Sequence, residues 1–215
     1  MKKFAIILAG NGVYDGSEIH EAVMTMLAID KLGAEYIIFA PNKKQHHVIN
    51  HLTGEEMNES RNVLTEAARI ARGNIHDLSE FTPNDFDALV IPGGFGAAKN
   101  LSDYAFKGAD ITVDHDVEDA ILGMHKLKRP IGALCIAPVI LAKALKNATV
   151  TIGSDEGTAK DIETVGGKHQ TAIKNEVVVD KTNLLFTTPC YMLDASINDV
   201  AISAENLVKE MLKVM

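Results

Sequence analysis

The sequence predicts an α/β protein built on a parallel sheet with helices on both faces. Three observations predict it. Short apolar runs such as FAIILAG (4–10) are continuous rather than alternating, as in strands buried on both sides. Segments with apolar residues at helical spacing alternate with these runs along the chain. Glycine or proline closes many of the segments.

Taken in order, the first strand is 4–10, followed by the loop NGVYDGS. Residues 18–33 then place Ile19, Val23, Met26 and Leu27 on one helical face, and Gly33 supplies the stop. AEYIIFAP (34–41) is a second strand, and 62–73 a helix with a glycine end. FDALVIPGG (86–94) is a strand that runs into a glycine turn. A helix over 117–130 stops at Pro130, IGALC (131–135) is a strand, and 137–147 a helix. The tail holds short strands near ATVTIG, EVVVD and NLLFTT and a closing helix over 194–215. No repeat or linker divides the chain, so residues 1–215 are expected to form a single domain. The polar stretch 42–61 reads as an excursion, a lid or an interface.

Composition narrows the function. A formal net charge of −8 argues against nucleic-acid binding, which needs a basic face. No apolar stretch approaches a membrane span. The opening MKKFAIILAGNG leads into Gly-Asn-Gly without a cleavage-type segment, so a first strand is expected there rather than a leader. Cys135 and Cys190 form no CxxC pair, and a cytoplasmic protein with reduced thiols is expected.

In an open α/β sheet the functional crevice lies beyond the carboxyl ends of the strands. Those ends carry GNGVYDGSEIHE, PGGFGAAKN and CIAP. Cys135 sits where strand changes to helix, with Ala133 and Ala137 two places to either side. That is the pattern of a nucleophile elbow, whose crowded backbone needs small neighbours. A helix N-terminus there would favour the thiolate and lower the thiol pKa. The pattern also fits a buried structural cysteine. Oxyanion chemistry needs backbone N–H donors, and the amides of Gly94 and Ile136 are the natural pair. Glu18 and Glu21 are three apart on one helical face. Each suits the helix dipole, and each also suits proton transfer beside a cysteine. His47 and His51, four apart, would need a third ligand to hold a metal. His20, His115 and His169 are weak candidates for a catalytic histidine, and Cys190, without an elbow, reads as structural.

Together, IPGGFGAAKNLSD, ALCIAPVILA and GSEIHEA resemble the PfpI and class I glutamine amidotransferase-like superfamily. Within it the chain is similar to the ElbB ("enhancing lycopene biosynthesis") family, also described as glyoxalases. GVYDGSEIHEAV, INHLTGE, RNVLTEAARIARG and TTPCYML carry that likeness over almost the whole length. The resemblance implies a flavodoxin-like three-layer sandwich with cysteine chemistry. It implies catalytic roles for Cys135, Glu21 and Glu18, an oxyanion hole at Gly94 and Ile136, and substrate contact at Gly93. It implies a glutathione-independent glyoxalase that turns glyoxal into glycolate with no cofactor or metal, its only partners a small aldehyde and a second copy of the chain in a homodimer. The sequence departs from the superfamily at Ile136, where many relatives have histidine, and lacks the later histidine of glutaminases. Amide hydrolysis and a non-enzymatic redox or chaperone-like regulator linked to isoprenoid biosynthesis are the other readings.

Overall fold

The computed structural model describes residues 1–215. Nine strands run in chain order: β1 (Lys3–Ile7), β2 (Glu35–Ala40), β3 (His76–Asp77), β4 (Ala88–Ile91), β5 (Ile131–Leu134), β6 (Thr149–Val150), β7 (Lys168–His169), β8 (Val178–Asp180) and β9 (Leu185–Thr188). The α-helices are α1 (Ile19–Lys31), α2 (Val63–Ile70), α3 (Phe95–Lys99), α4 (Tyr104–Lys107), α5 (His115–Lys126), α6 (Pro138–Ala144), α7 (Glu156–Thr164) and α8 (Ile197–Leu212). Seven strands form one sheet in the order β3-β2-β1-β4-β5-β9-β8, and β6 and β7 pair separately. All pairings are parallel except β8 with β9. This is the mostly parallel, flavodoxin-like α/β architecture the sequence predicts.

The continuous apolar runs have a direct cause. Ala5, Ile7 and Ala9 enter the core on one face of the sheet, and Phe4, Ile6 and Leu8 enter the core on the other. Helices cover both faces, so alternate side chains are all apolar. The pairs Ile6↔Val90, Ile91↔Ala133 and Leu134↔Thr188 set β1, β4, β5 and β9 side by side. Their carboxyl ends therefore share one rim.

Several elements lie outside the sequence expectation. Helix α7 (EGTAKDIET) buries only Ile162, so it carries no apolar period. Helices α3 and α4 are too short to show one. The stretch 42–61 is pinned to the rim. Ile49 N–H donates to Asp15 Oδ2 at 2.6 Å, Tyr14 N–H to His51 Nε2 at 3.2 Å, and His46 N–H to Asn100 Oδ1 at 3.0 Å. No helix is long and apolar enough to cross a membrane.

Candidate active site

Cys135 follows directly on β5. Its N–H donates to Thr188 O at 3.0 Å, extending the ladder with β9 by one bond. Its φ is +59°, the left-handed region that residues with a side chain avoid. The chain then turns through Ala137 N–H to Leu134 O at 3.0 Å and enters α6 at Pro138. Ala133 and Ala137 are wholly buried. The elbow read from small-residue spacing is present, with strain at the cysteine itself.

Glu18 caps α1, its Oε2 accepting from Glu21 N–H at 2.7 Å. The capping account of Glu18 therefore holds. Glu21 is wholly buried. Its Oε2 accepts from Gly93 N–H at 2.9 Å and its Oε1 from Tyr191 N–H at 3.4 Å. Its carboxyl and the Cys135 side chain stand together over Gly93, where an added Cβ would lie 2.6 Å from Glu21 Oε2 and 2.5 Å from Cys135 Cβ. Gly94, Cys135 and Ile136 line one cleft, and the Gly94 and Ile136 amides both pull the thiol pKa down. Gly93 is tied to both glutamates: its N–H donates to Glu21 Oε2 and its carbonyl accepts from Glu18 N–H at 2.9 Å.

Burial, and then the charge of Glu18, lifts the Glu21 carboxyl from 4.5 to about 8, against the opposing pull of the Tyr191 and Gly93 amides and the thiol. Burial, and then the charge of Glu21, also raises the Cys135 thiol well above its ordinary range. This corrects the expectation of a thiol lowered by a helix N-terminus. The Gly94 and Ile136 amides do pull it down, but loss of water outweighs them. Near neutral pH Glu21 is mostly protonated, which removes its charge from beside the sulfur and leaves a carboxylic acid next to the thiol.

The raised carboxyl has a stability consequence. A group whose folded pKa is raised contributes stability that is complete below the unfolded value and is lost as pH rises through the folded value. For Glu21 the window runs from 4.5 to about 8 and is worth about 5 kcal/mol. Glu21→Gln cannot ionise, but it turns an N–H toward one of the two amide donors, at a cost of about 1–2 kcal/mol. Denaturation should find the variant less stable than the parent at about pH 5 and more stable at about pH 8. Parallel pH profiles for the two proteins would show that Glu21 is not raised.

The sulfur opens on a cleft of about 460 Å³, lined among others by Glu18, Phe95, Tyr104, Ile136 and Tyr191. No histidine contacts the sulfur. His115 is exposed and paired with Asp116 and Asp119. His169 Nε2 accepts from Ile152 N–H at 3.4 Å, away from the cleft. His47 packs on His46 and Phe106, while His51 stacks on Tyr14, and the two meet no third ligand. Cys190 is buried and near enough for Cys135 to raise its thiol, after burial and Glu21. Sequence reasoning missed Tyr191. It is the neighbour of Cys190 in TTPCYML and carries no motif of its own.

A strained cysteine between a PGG turn and a buried glutamate, on this sheet, defines a class of protein. The DJ-1/PfpI family matches residues 5–196, and the chain belongs to it. Among curated relatives it is 42% identical to the rat (Rattus norvegicus) ES1 protein homolog, mitochondrial, over 99% of this chain and 84% of that one. It is also 42% identical to the human (Homo sapiens) glutamine amidotransferase-like class 1 domain-containing protein 3, mitochondrial, over 99% and 83%. A crystal structure of an isoprenoid biosynthesis protein with an amidotransferase-like domain from Ehrlichia chaffeensis superposes with a TM-score of 0.92 at 37% identity, over 99% of this chain and 100% of that one. Glyoxalase III from Candida albicans shares the fold, with a TM-score of 0.64 at 16% identity over 100% and 97%. The cytoplasmic expectation is overturned by these relatives, which are themselves named mitochondrial proteins.

Proposed function

We propose that this protein is a cofactor-independent glyoxalase of the ElbB type, acting on glyoxal through Cys135. The observation that carries the reading is the Cys135 side chain set beside the buried Glu21 carboxyl at Gly93, in a cleft that Gly94 and Ile136 also line. The sulfur adds to one aldehyde carbon, and the thiol proton ends on that carbon's oxygen, giving a hemithioacetal. The Gly94 and Ile136 amides steady the oxygen while it carries charge. Glu21, in the fraction of molecules where it has already lost its proton to solvent, takes the proton from the thioacetal carbon and returns it to the neighbouring carbon. The enediol so formed becomes a 2-hydroxy thioester, which water cleaves to glycolate and the free thiol. Glyoxal and water together have the composition of glycolic acid, so no redox partner is required. A glutaminase reading needs an acid for the leaving ammonia, and no histidine stands at the sulfur to supply one.

Carbon-13 NMR of labelled glyoxal with the protein, without glutathione or nicotinamide, should show one glycolate per glyoxal consumed. Glyoxal loss no faster than in buffer would overturn the proposal, and ammonia release from glutamine would replace it with amide hydrolysis.

A further inference from the structure

One pair of side chains at the cleft has no part in the reaction above. His20, the second residue of α1, places Nδ1 2.8 Å from Tyr191 Oη and 3.9 Å from Glu18 Oε1. The imidazole side chain is 48% exposed. Tyr191 lines the cleft together with Cys135 and Glu18, and its backbone N–H donates to Glu21. A single residue thus touches the buried carboxyl through its backbone and a solvent-facing imidazole through its hydroxyl.

Resting on the reading of Cys135 and Glu21 given above, we propose that His20 and Tyr191 form a proton relay between solvent and the substrate oxygens. The geometry sets its direction. The Glu18 carboxylate beside Nδ1 favours the tautomer that carries its proton there. Nδ1–H then donates to Tyr191 Oη, and the tyrosine, a residue that lines the cleft, keeps its own O–H to give to substrate.

The reaction needs such a group. When Glu21 removes the C–H proton, the electron pair forms the C=C bond and the neighbouring carbonyl oxygen must gain a proton. Tyr191 gives its own and takes one from His20 Nδ1, while Nε2 takes one from water. When the enediol collapses, Glu21 returns its proton to the second carbon. The hydroxyl on the sulfur-bearing carbon loses its proton to Tyr191 as the thioester carbonyl forms. Tyr191 passes its proton to Nδ1, and Nε2 releases one to water. Each turnover returns the imidazole to its first tautomer and leaves proton and electron counts unchanged.

Glyoxal turnover in Tyr191→Phe, His20→Ala and His20→Asn tests the relay. Tyr191→Phe should lower kcat about a hundredfold with KM within about twofold, the size of one general acid. Its Cys135 alkylation rate should match the parent's, because the ring and the backbone N–H remain. His20→Ala should be as slow and should recover with added imidazole, which can enter the exposed site. His20→Asn keeps an N–H for Tyr191 but cannot pass a proton through, so it should stay slow. Parent-like kcat in Tyr191→Phe, full activity in His20→Asn, or a slow His20→Ala deaf to imidazole each overturns the relay. A parent protein without Cys135-dependent turnover condemns the glyoxalase reading instead.

Discussion

Cys135→Ala is expected to lose glyoxal turnover by at least about a thousandfold while still folding. The two halves of this result have separate causes. The sulfur is the group that bonds to substrate, and nothing else at the site replaces it. Structurally, alanine keeps the Cβ, and the left-handed backbone at this position is a strain the parent already carries. Only one atom leaves, at the edge of a cleft, so the cost should be about 1 kcal/mol. Cys135→Ser separates nucleophilicity from hydrogen bonding. Its hydroxyl can still meet Glu21 and the two amides, but an alcohol without an adjacent histidine is a poor nucleophile. Serine should therefore restore any stability lost in alanine and none of the turnover. Glyoxal consumption and urea midpoints on the three proteins check this. Turnover retained in Cys135→Ala would remove the cysteine from the chemistry.

Much of the frame was legible because it rests on local rules. The run FAIILAG has apolar residues at successive positions because both faces of the sheet are covered. Cys135 could be read as an elbow because small residues, Ala133 and Ala137, stand two places to either side of it, and both are buried. The rim could be read because strand ends adjoin in a parallel sheet, and β1, β4 and β5 do adjoin.

What escaped the sequence depends on contacts between distant segments. The bond from Gly93 N–H to Glu21 spans 72 residues, and no spacing announces it. The direction of the thiol shift escaped for the same reason: an elbow suggests a helix terminus, but burial beside Glu21 is a tertiary property. His20 is a weak candidate by sequence because it adjoins Glu21, and adjacent helical residues point apart. They do, yet Tyr191 comes from the far end of the chain and reaches both, its backbone to Glu21 and its hydroxyl to His20. Stretch 42–61 is polar in composition, but Gln45 and Val48 are buried in it, and Asp15 and Asn100 fasten it to the rim.

Gly94→Ala is expected to be among the most damaging single methyl groups in the protein. Gly94 has φ +95° and ψ 158°, a conformation essentially reserved for glycine. A Cβ there would lie 2.3 Å from Glu18 N and 2.5 Å from Gly16 O. Both are backbone atoms, so no side chain can swing aside. The PGG turn must move away from the start of α1, and that movement carries the Gly94 amide from the sulfur and loosens the Gly93 bond to Glu21. Backbone strain and overpacking together should cost about 4 kcal/mol, a large part of an ordinary domain's stability. Gly33→Ala is the control. Its φ is also positive, at +73°, but a Cβ there meets nothing within 4 Å, so only the left-handed strain of about 1–2 kcal/mol remains. Urea denaturation should rank Gly94→Ala well below Gly33→Ala. Cys135 alkylation should change in the first and match the parent in the second. Equal midpoints would mean that the PGG turn has slack, and the close seating of Glu18, Gly93 and Gly94 around the sulfur would lose its physical basis.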